Sequence, residues 1–420
     1  IISITSLSVL IIPSAKAYPG ELDPSFNVQL SDDWYWHAVY ATAVQTDGKI
    51  LVGGTFTLYN GTSQNYLIRL NADYSKDTSF DVGNSFNSVI NDIELQTDGK
   101  IILGGYFYEY NGSNQDRIIR LNSDGTKDTS FDIGTGFDNE VTDLAIQSDG
   151  KILAVGDLTE FNGYSVDYQE KIFRLNTDGT LDTSFNATTD LYRGQSAYSV
   201  AVQPDGKILV GGDIEEYDSG DHYGLIRLNP DGSKDTSFNV GTGFDRQVEH
   251  IALQPDGKIL VGGLFRVYNG VDQNRFIRLN PDGTKDTSFD IGTGFSYETT
   301  WGRVNSILVQ SDGKIIAGGL FDTFNGATEN NLLRLNPDGT KDTSFNVGTG
   351  FNDDQVESNM IQVGAAIIIG GRFTTYNGTP ASNIARIQIT NDKDQDGKDD
   401  SIEDSAPNSG DGNQDGTKDS

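Results

Sequence analysis

The chain has 420 residues, a formal net charge of −31 at pH 7 and no cysteine. The lack of cysteine excludes disulfides, thiol chemistry and thiolate metal sites. The acid excess argues against nucleic acids and anionic membrane surfaces as partners, because both reward stripes of Lys and Arg. With 35% hydrophobic residues, a chain of this length can build a large core without covalent cross-links.

Residues 1–12 form an apolar run, and Ala15-Lys16-Ala17 follows before Tyr18. A small-x-small triplet after such a run is typical of the cleavage site of a secretory signal peptide. The run is too short to span a membrane, which needs about 20 apolar residues. We therefore predict that residues 1–17 are a signal-peptide remnant and that the protein is extracellular or on the cell surface, without a transmembrane segment. Because no Met or basic leader precedes the run, we expect a longer chain.

Most of the sequence between residues 18 and 390 repeats one unit, which is clearest at residues 251–295. A lysine in a DGK turn marks each copy, and neighbouring lysines are 51 or 56 residues apart. The six lysines are Lys49, Lys100, Lys151, Lys207, Lys258 and Lys314. A seventh copy has Gly364-Ala365-Ala366 at this turn. A period in this range predicts a propeller, a solenoid or another repeat array.

Within residues 251–295, three turn sequences separate four short apolar runs. The turns are Pro255-Asp256-Gly257, Asn269-Gly270 and Pro281-Asp282-Gly283. Asn and Gly accept positive φ and Pro presets φ, which makes them hairpin and turn residues. No window combines helical periodicity with caps, so we predict four antiparallel strands per unit. The Gly262-Gly263 pair recurs in most units and predicts a close backbone approach or a bulge.

The two ends of the repeat array favour a closed ring. The last unit ends near Ile387 without its KDTSF segment, and the chain begins with a stray copy of that segment at residues 22–26. The seven KDTSF-type segments and the seven groups of three strands pair off only if this first strand completes the last blade. Such closure removes an exposed sheet edge. A solenoid would need capping repeats. We therefore predict an all-β, seven-bladed β-propeller of four-stranded blades over residues 18–390, closed by the N-terminal strand and monomeric.

The QPDGKILVGG, YNG and LNPDGTKDTSF segments of the unit resemble the delta-60 repeat family. Members of that family are β-propeller-like units that occur in tandem in bacterial surface and secreted proteins. The resemblance covers residues 22–389, and its three motifs recur in order in most units. It implies a fold and a location, since the family has no agreed activity.

All three tryptophans and two tyrosines lie in one kind of connection, between a TSF segment and the first strand of the next unit. They are Trp34, Trp36, Tyr192, Tyr297 and Trp301. Equivalent connections lie on one face of a propeller, so these residues should share a rim. Aromatic loop residues on a rigid scaffold are typical of ligand sites, especially for flat sugar faces. They predict a carbohydrate or protein ligand on this face, and packing against neighbouring loops is the alternative.

The acidic residues 391–420 predict a calcium-binding linker that is truncated. Residues 392–403 fit D-x-D-x-D-G-x5-E, the spacing of a twelve-residue Ca²⁺ loop with oxygen ligands. A partial second copy begins at Asp411. The predicted ligands are Asp392, Asp394, Asp396, Lys398 through its carbonyl, Asp400, Glu403, Asp411, Asn413, Asp415 and Asp419. Closely spaced loops without flanking helices resemble thrombospondin type 3 repeats, although the cysteines of that family are missing here.

Catalytic motifs are missing from the sequence. Its three histidines are His37, His222 and His250, and no HExxH, GxSxG or GxxxxGK[ST] pattern occurs. We therefore predict a non-enzymatic, exported surface protein whose propeller is a scaffold for a ligand or partner. The alternative is a glycan hydrolase or lyase that uses carboxylates in the central channel. Paired channel carboxylates with raised pKa values would favour this alternative.

Overall fold

The structure is a computed structural model that describes residues 18–31, 37–83, 85–165, 171–187, 196–214, 224–298, 301–352 and 355–390. Within these ranges every regular element is a β-strand, and no helix long and apolar enough to cross a membrane occurs. The predicted signal-peptide remnant at 1–17 and the predicted calcium linker at 391–420 lie outside the described residues. The prediction of an all-β chain with seven repeats that fit a seven-bladed propeller is confirmed.

Each repeat forms one main sheet, here called a blade, whose inner, middle and outer strands follow one another along the chain and pair antiparallel. The inner strands are Val39–Val44, Ile90–Leu95, Val141–Ile146, Ala197–Val202, Val248–Leu253, Arg303–Val309 and Ile361–Val363. The middle strands are Ile50–Gly54, Ile101–Gly105, Ile152–Gly156, Ile208–Gly212, Ile259–Gly263, Ile315–Leu320 and Ala366–Gly370. The outer strands are Leu67–Leu70, Ile118–Leu121, Ile172–Leu175, Leu225–Leu228, Phe276–Leu279, Leu332–Leu335 and Ile384–Gln388.

A short hairpin lies between the middle and outer strands. In the fifth blade its turn is Asn269-Gly270, with φ values of 50° and 76°, the positive values that a type I′ turn requires. The described hairpins are Leu58–Tyr59 with Thr62–Ser63, Glu109–Tyr110 with Ser113–Asn114, Glu160–Phe161 with Tyr164–Ser165, Val267–Tyr268 with Val271–Asp272, Thr323–Phe324 with Ala327–Thr328, and Thr375–Tyr376 with Thr379–Pro380. Leu30–Ser31 and Phe295–Ser296 each add a third strand to one of these hairpins.

The KDTSF segment is a turn, and not the fourth strand that the sequence analysis predicts. In the fifth blade Lys285 forms a single antiparallel bridge with Leu279, and the chain then turns. Asp286 causes this turn, because its Oδ1 accepts hydrogen bonds from the N and Oγ of Ser288 at 3.0 and 2.7 Å. Such a local side-chain bond competes with strand pairing. The blades therefore have three strands, and the prediction of four-stranded blades is wrong.

The paired glycines of the middle strand lie opposite a bulge in the inner strand, as the sequence analysis predicts. In the first blade Gly54 faces Val39 and Gly53 faces Ala41, so the inner strand has one extra residue between these partners. A Cβ atom on Gly54 would lie 2.1 Å from the carbonyl oxygen of Ala38. Glycine is therefore required here by the close approach of the inner-strand backbone.

The hydrophobic core lies between successive blades. In the fifth blade the ring of Phe244 packs against Phe265 and Tyr268, with centroid distances of 4.6 and 4.8 Å. Leu209 and Leu225 of the fourth blade belong to the same buried cluster. Each blade therefore buries its apolar faces only when its neighbours are present.

Six blades carry a buried ion cluster made by the DGK lysine, an outer-strand arginine and the KDTSF aspartate. In the fifth blade, Asp286 accepts hydrogen bonds from Arg278 Nε at 2.8 Å and from Lys258 Nζ at 2.5 Å. Arg278 also donates through Nη1 to the Pro337 carbonyl of the next blade at 2.7 Å. The equivalent clusters are Lys49–Arg69–Asp77, Lys100–Arg120–Asp128, Lys151–Arg174–Asp182, Lys207–Arg227–Asp235 and Lys314–Arg334–Asp342.

The aspartate of this cluster is strongly stabilised in its charged form. Burial by itself would raise the pKa of Asp286. The hydrogen bonds from Lys258, Ser288 and Arg278 outweigh burial and hold the pKa of this carboxyl well below its ordinary value. The ion cluster therefore remains charged at neutral pH, and it joins three segments of one blade to the next blade.

Residues from the two ends of the repeat array contact each other. Leu22 forms an antiparallel bridge with Ile387 of the last outer strand. Asp23 forms a buried ion pair with Arg386. This seventh arginine–aspartate pair therefore takes its aspartate from the beginning of the repeat array and its arginine from the end.

We predict that Asp286→Asn and Asp23→Asn each lower the melting temperature by several degrees. Each change leaves a buried arginine without its charge partner, and breaking a buried ion pair from one side costs about 3–5 kcal/mol. Asp272→Asn, at an exposed hairpin position, is the matched control and should change little. Differential scanning calorimetry at pH 7 measures the three midpoints. Variants that melt with the control would contradict a stabilising role of the buried pairs.

Candidate functional site

The extra residue of each inner-strand bulge lies at a common cavity. This bulged residue directly follows the one that pairs with the second glycine of the middle strand. Six of these residues are Tyr40, Asn91, Thr142, Tyr198, Glu249 and Asn305. In the seventh blade Glu357 follows Val356, which bridges Gly371, and we count it as the seventh bulged residue. All seven line a cavity of about 320 Å³, which we call the channel-mouth cavity. Bulges occur frequently next to functional sites, because they re-aim a side chain.

The blades differ in chemistry at the bulged position. The residue before it is Val, Ile or Ala in every blade, whereas the bulged residue is Tyr, Asn, Thr or Glu. Positions whose side chains pack in the apolar core between blades must repeat, but positions that face a cavity are free to differ. The cavity therefore has an asymmetric polar wall inside a symmetric scaffold, which is the arrangement that a specific ligand site requires.

Three bulged side chains also join neighbouring blades. Asn91 Nδ2 donates to the Val141 carbonyl at 2.9 Å, and Thr142 Oγ1 donates to the Ala197 carbonyl at 2.7 Å. Asn305 makes the equivalent contact at 3.1 Å. These bonds hold part of the cavity wall in place before any ligand enters.

The sixth and seventh blades carry two arginines that already have acceptors, and of these Arg303 lines the cavity. Arg303 Nη2 donates to Gln355 Oε1 at 2.8 Å, and the Gln355 amide donates to Glu357. Arg372 pairs with Glu357 at 3.0 Å and donates to the hydroxyl of Tyr40 at 3.0 Å. The positive charges on this side are therefore partly neutralised within the protein.

The opposite side, formed by the third to fifth blades, carries Glu140, Asp143, Tyr198 and Glu249. Burial raises the pKa of Glu249, although the charge of Arg303 opposes the shift. Burial, followed by the charges of Glu249 and Asp213, raises the pKa of Tyr198 to about 12. Among the described residues that line the whole cavity, Arg303 is the one Lys or Arg side chain.

The residue after the bulged one, at the next inner-strand position, also links the blades. The backbone N of Leu144 donates to Asp92 Oδ2 at 3.0 Å, and the backbone N of Val200 donates to Asp143 Oδ2 at 2.7 Å. Ser199 accepts the equivalent bond from the following blade through its Oγ. Side chains at this position therefore connect the inner strands of the second to fifth blades.

Asp92, Asp143 and Glu94 form a cluster of carboxyl groups in the channel. Burial raises the pKa of Asp92 to about 6, against the effect of the hydrogen bonds that it accepts. Burial and then the charge of Asp92 raise the pKa of Glu94 to about 8, and the same two causes raise the pKa of Asp143 well above its ordinary value. Paired channel carboxyls with raised pKa values, the feature named above as favouring an enzyme, are therefore present.

The geometry of this pair differs from that of a glycosidase. Asp92 and Asp143 lie within hydrogen-bonding reach of each other, whereas glycosidases hold two carboxyls about 5 to 9.5 Å apart across the substrate. Asp92 is 3% exposed and does not line the channel-mouth cavity. Both carboxyls accept hydrogen bonds from backbone N–H groups of the next blade. The pair as placed joins blades, and of the two carboxyls Asp143 alone lines the cavity.

His250 lines the channel-mouth cavity and connects it to the carboxyl cluster. Its Nε2 lies 3.0 Å from Asn359 Oδ1, and Asn359 Nδ2 lies 3.4 Å from Asp92 Oδ1. Burial lowers the pKa of His250 to about 4, so the imidazole is neutral at pH 7. The other ring nitrogen, Nδ1, is buried and has no hydrogen-bond partner in the described ranges.

The structure describes two of the five residues predicted to form an aromatic rim. Trp34, Trp36 and Tyr192 lie outside the described residues. Trp301 exposes 64% of its surface, and Tyr297 is half-buried in the wall of a second cavity of about 240 Å³. Both belong to the connection that leads into Arg303 at the channel mouth. A rim shared by all five residues stays a prediction.

The predicted calcium ligands between Asp392 and Asp419 also lie outside the described residues. Where the chain is described, no group of three or more His, Asp or Glu side chains is placed to hold a metal ion. Sequence reasoning missed the seven bulged residues, because each is one unremarked residue per repeat. An alignment of the repeats on their glycine pairs would have shown the change from apolar to variable polar residues.

We predict that Glu94→Gln stabilises the protein at pH 8 and has little effect at pH 5. A carboxyl whose pKa rises from 4.5 to about 8 on folding contributes stability that is fully present below pH 4.5 and is lost as the pH rises through 8. A neutral amide does not lose this contribution. Melting curves of wild type, Glu94→Gln and the control Glu109→Gln between pH 5 and 8 test the prediction. Parallel pH profiles for all three proteins would contradict it.

A family model described as a domain of unknown function, DUF5122, with a β-propeller fold matches seven segments of the chain. The segments are residues 45–80, 96–131, 147–185, 203–238, 254–289, 310–345 and 367–388. Together they cover more than half of the 420 residues. No curated protein sequence matches the chain.

Solved structures share the fold at low identity. The extracellular domain of a protein assigned as a one-component system in B. thetaiotaomicron aligns with a TM-score of 0.54 and 15% identity over 86% of this chain and 40% of that one. The extracellular domain of a protein assigned as a hybrid two-component system in the same organism has a TM-score of 0.50 and 14% identity over 89% of this chain and 42% of that one. Virginiamycin B lyase from Staphylococcus aureus has a TM-score of 0.47 and 13% identity over 86% of this chain and 98% of that one.

The similarity to the two B. thetaiotaomicron structures shows a common fold alone, and the chain spans less than half the length of each of them. The family matches are of a different kind, since they recur once per blade and coincide with the repeated strands and turns. This chain belongs to the DUF5122 β-propeller family.

Proposed function

We propose that the protein is an extracellular, non-enzymatic binding protein whose propeller holds a small polar ligand in the channel-mouth cavity. The observation that carries this proposal is the convergence of all seven bulged residues on one cavity. They differ in chemistry although the strands that present them repeat. A rigid scaffold that presents variable residues at one place is typical of binding proteins.

The cavity suits a ligand of about the size of a monosaccharide. Its volume of about 320 Å³ is at the lower end of the range of ligand pockets, about 300–1,000 Å³. Its wall presents carboxylates, amides, hydroxyls and two tyrosine rings. These groups favour a polar ligand over an apolar one.

We propose that the connections on the same face extend this site to larger glycans or to a protein partner. The exposed Trp301 and the half-buried Tyr297 precede Arg303, which lines the cavity. An aromatic ring beside a polar cavity offers a stacking surface for a second sugar unit. Trp34, Trp36 and Tyr192 are proposed to contribute from equivalent connections.

Two observations support an extracellular location. The apolar run at residues 1–12, followed by Ala15-Lys16-Ala17, has the pattern of a signal peptide. The two B. thetaiotaomicron structures are themselves extracellular domains. We propose that this chain is exported in the same way and is monomeric.

We also propose that residues 20–27 close the ring by completing the seventh blade. The antiparallel bridge of Leu22 with Ile387 and the ion pair of Asp23 with Arg386 support this proposal. The backbone N of Val39 in the first blade also donates to the Gly371 carbonyl at the end of the array, at 3.3 Å. The melting midpoint of Asp23→Asn, described above, tests the closure.

An enzyme is the second candidate, because the channel contains carboxyls with raised pKa values. The close contact of Asp92 with Asp143 and their bonds to backbone N–H groups favour a structural use of the pair. Release of products from a glycan library, lost in Asp143→Asn with the fold intact, would establish the enzyme instead.

We predict that the full chain binds a member of a library of sugars, amino acids and oligosaccharides, seen as a rise in melting temperature. A ligand at about 100 times its Kd adds about 2.7 kcal/mol to stability. Tyr198→Ala removes a cavity wall residue and should abolish the shift, whereas Tyr164→Ala, 56% exposed on an outer hairpin, should preserve it. Trp301→Ala should weaken the binding of oligosaccharides and leave that of single sugars unchanged. A library without any Tyr198-dependent ligand would overturn the proposal.

We propose that residues 391–420 are a Ca²⁺-binding spacer that resembles thrombospondin type 3 repeats. Calorimetric titration of the full chain should show Ca²⁺ binding. The double variant Asp394→Asn and Glu403→Gln should lose it, because positions 3 and 12 supply ligands that the loop requires. Asp149→Asn, an exposed turn residue, is the control. Binding that survives in the double variant would place Ca²⁺ elsewhere in the chain and contradict the spacer.

A further inference from the structure

Three hydrogen-bond acceptors at the channel-mouth cavity have no donor from the described part of the chain. Glu140 accepts from Asn91 Nδ2 at 2.7 Å through Oε1, and Glu249 accepts from Gln247 Nε2 at 3.3 Å through Oε1. The second carboxylate oxygen of each has no donor among the residues described. The third acceptor is Nδ1 of His250, which is buried without a partner.

The acceptor role of His250 Nδ1 follows from its neighbours. Asp92 accepts hydrogen bonds, so Asn359 turns its amide nitrogen toward this carboxyl at 3.4 Å and its oxygen toward His250. The Nε2 atom of His250 must then carry the proton that Asn359 Oδ1 accepts at 3.0 Å. Because burial lowers the pKa of His250 to about 4, Nδ1 keeps its lone pair at neutral pH.

A ligand at this side of the cavity must therefore supply donors and positive charge. Among the described residues, the cavity wall has one Lys or Arg side chain, Arg303, against four acids: Glu140, Asp143, Glu249 and Glu357. Arg303 donates to Gln355, and Arg372 pairs with Glu357 and donates to the hydroxyl of Tyr40. A protonated primary amine carries three N–H donors and no acceptor. It therefore supplies the hydrogen-bond donors that the unpaired acceptors of the cavity wall lack.

We infer that the channel-mouth cavity selects a small ligand with a protonated primary amine, such as an amino sugar, whose N–H groups are accepted by Glu249, Glu140 and His250 Nδ1. This inference rests on the proposed function and names the ligand class of the same site. The phenol rings of Tyr40 and Tyr198 at the cavity add surfaces that attract cations. Anionic ligands are disfavoured by the carboxylates.

The test compares ligands that differ in one substituent. Calorimetric titrations of the full chain at pH 7 use glucosamine, glucose and glucuronate, with putrescine as an amine without a sugar ring. We expect glucosamine to bind about tenfold more tightly than glucose, because hydrogen bonds that involve a charged group are stronger than those between neutral groups. Putrescine should bind measurably, and glucuronate should not bind.

Two variants test whether residues of the cavity wall cause the preference for glucosamine. The isosteric change Glu249→Gln and the change His250→Phe should each weaken the binding of glucosamine about tenfold. Glu109→Gln on an outer hairpin should leave this binding unchanged. Melting curves verify that each variant is folded. If His250→Phe does not fold, Glu249→Gln alone provides the test. The same variants should have a smaller effect on glucose.

The outcomes separate this inference from the proposed function. Binding of glucose as tight as that of glucosamine, or a preference for glucuronate, would overturn the amine preference and leave a polar ligand site in place. Failure of both amines to bind would also overturn the inference. If, in addition, the wider library yields no ligand that depends on Tyr198, the proposed function fails as well.

Discussion

The structure depends on the buried pairing of each outer-strand arginine with the aspartate of the following KDTSF turn. In the fifth blade Arg278 holds Asp286 at 2.8 Å and also reaches the Pro337 carbonyl of the sixth blade. Its guanidinium lies 4.4 Å from the ring centroid of Phe289, so one side chain satisfies a carboxylate, a carbonyl and an aromatic face. A buried guanidinium without these partners would be strongly unfavourable. The orientation of each blade relative to the next is therefore fixed by contacts that repeat along the chain.

A repeated orientation brings equivalent residues of different blades to one place. The second glycine of the middle strand admits the inner-strand backbone, which bulges opposite it. The bulge then turns one side chain per blade toward the channel mouth. Because the bulged residue contributes little to the core between blades, it can change from Thr142 to Tyr198 to Glu249 without loss of the fold. The scaffold and the candidate site are thus carried by different positions of the same repeat.

The two groups of buried aspartates have opposite electrostatic environments. Asp286 is surrounded by donors from Lys258, Arg278 and Ser288, and its pKa lies well below the ordinary value. Asp92 has acids as neighbours, and burial raises its pKa to about 6. The outer clusters therefore lose stability only in strong acid, whereas the channel cluster loses stability as the pH rises through neutrality. The channel retains its acids at a cost in stability, and the acceptor-rich wall above them is a place where a cationic ligand would offset that cost.

The sequence by itself determined the seven repeats, the all-β class, the turns at Asn-Gly and Asp-Gly, and the bulge at the glycine pairs, because these features depend on residues a few positions apart. It overpredicted a fourth strand, since Asp286 bonds to Ser288 and turns the chain. Only the tertiary structure decided the channel-mouth cavity and the contact of Asp92 with Asp143. Asp92 and Asp143, like the bulged residues of successive blades, are one whole repeat apart in the chain, and they meet only because each blade packs on the next. A local sequence pattern cannot predict a contact that depends on how successive blades pack against one another.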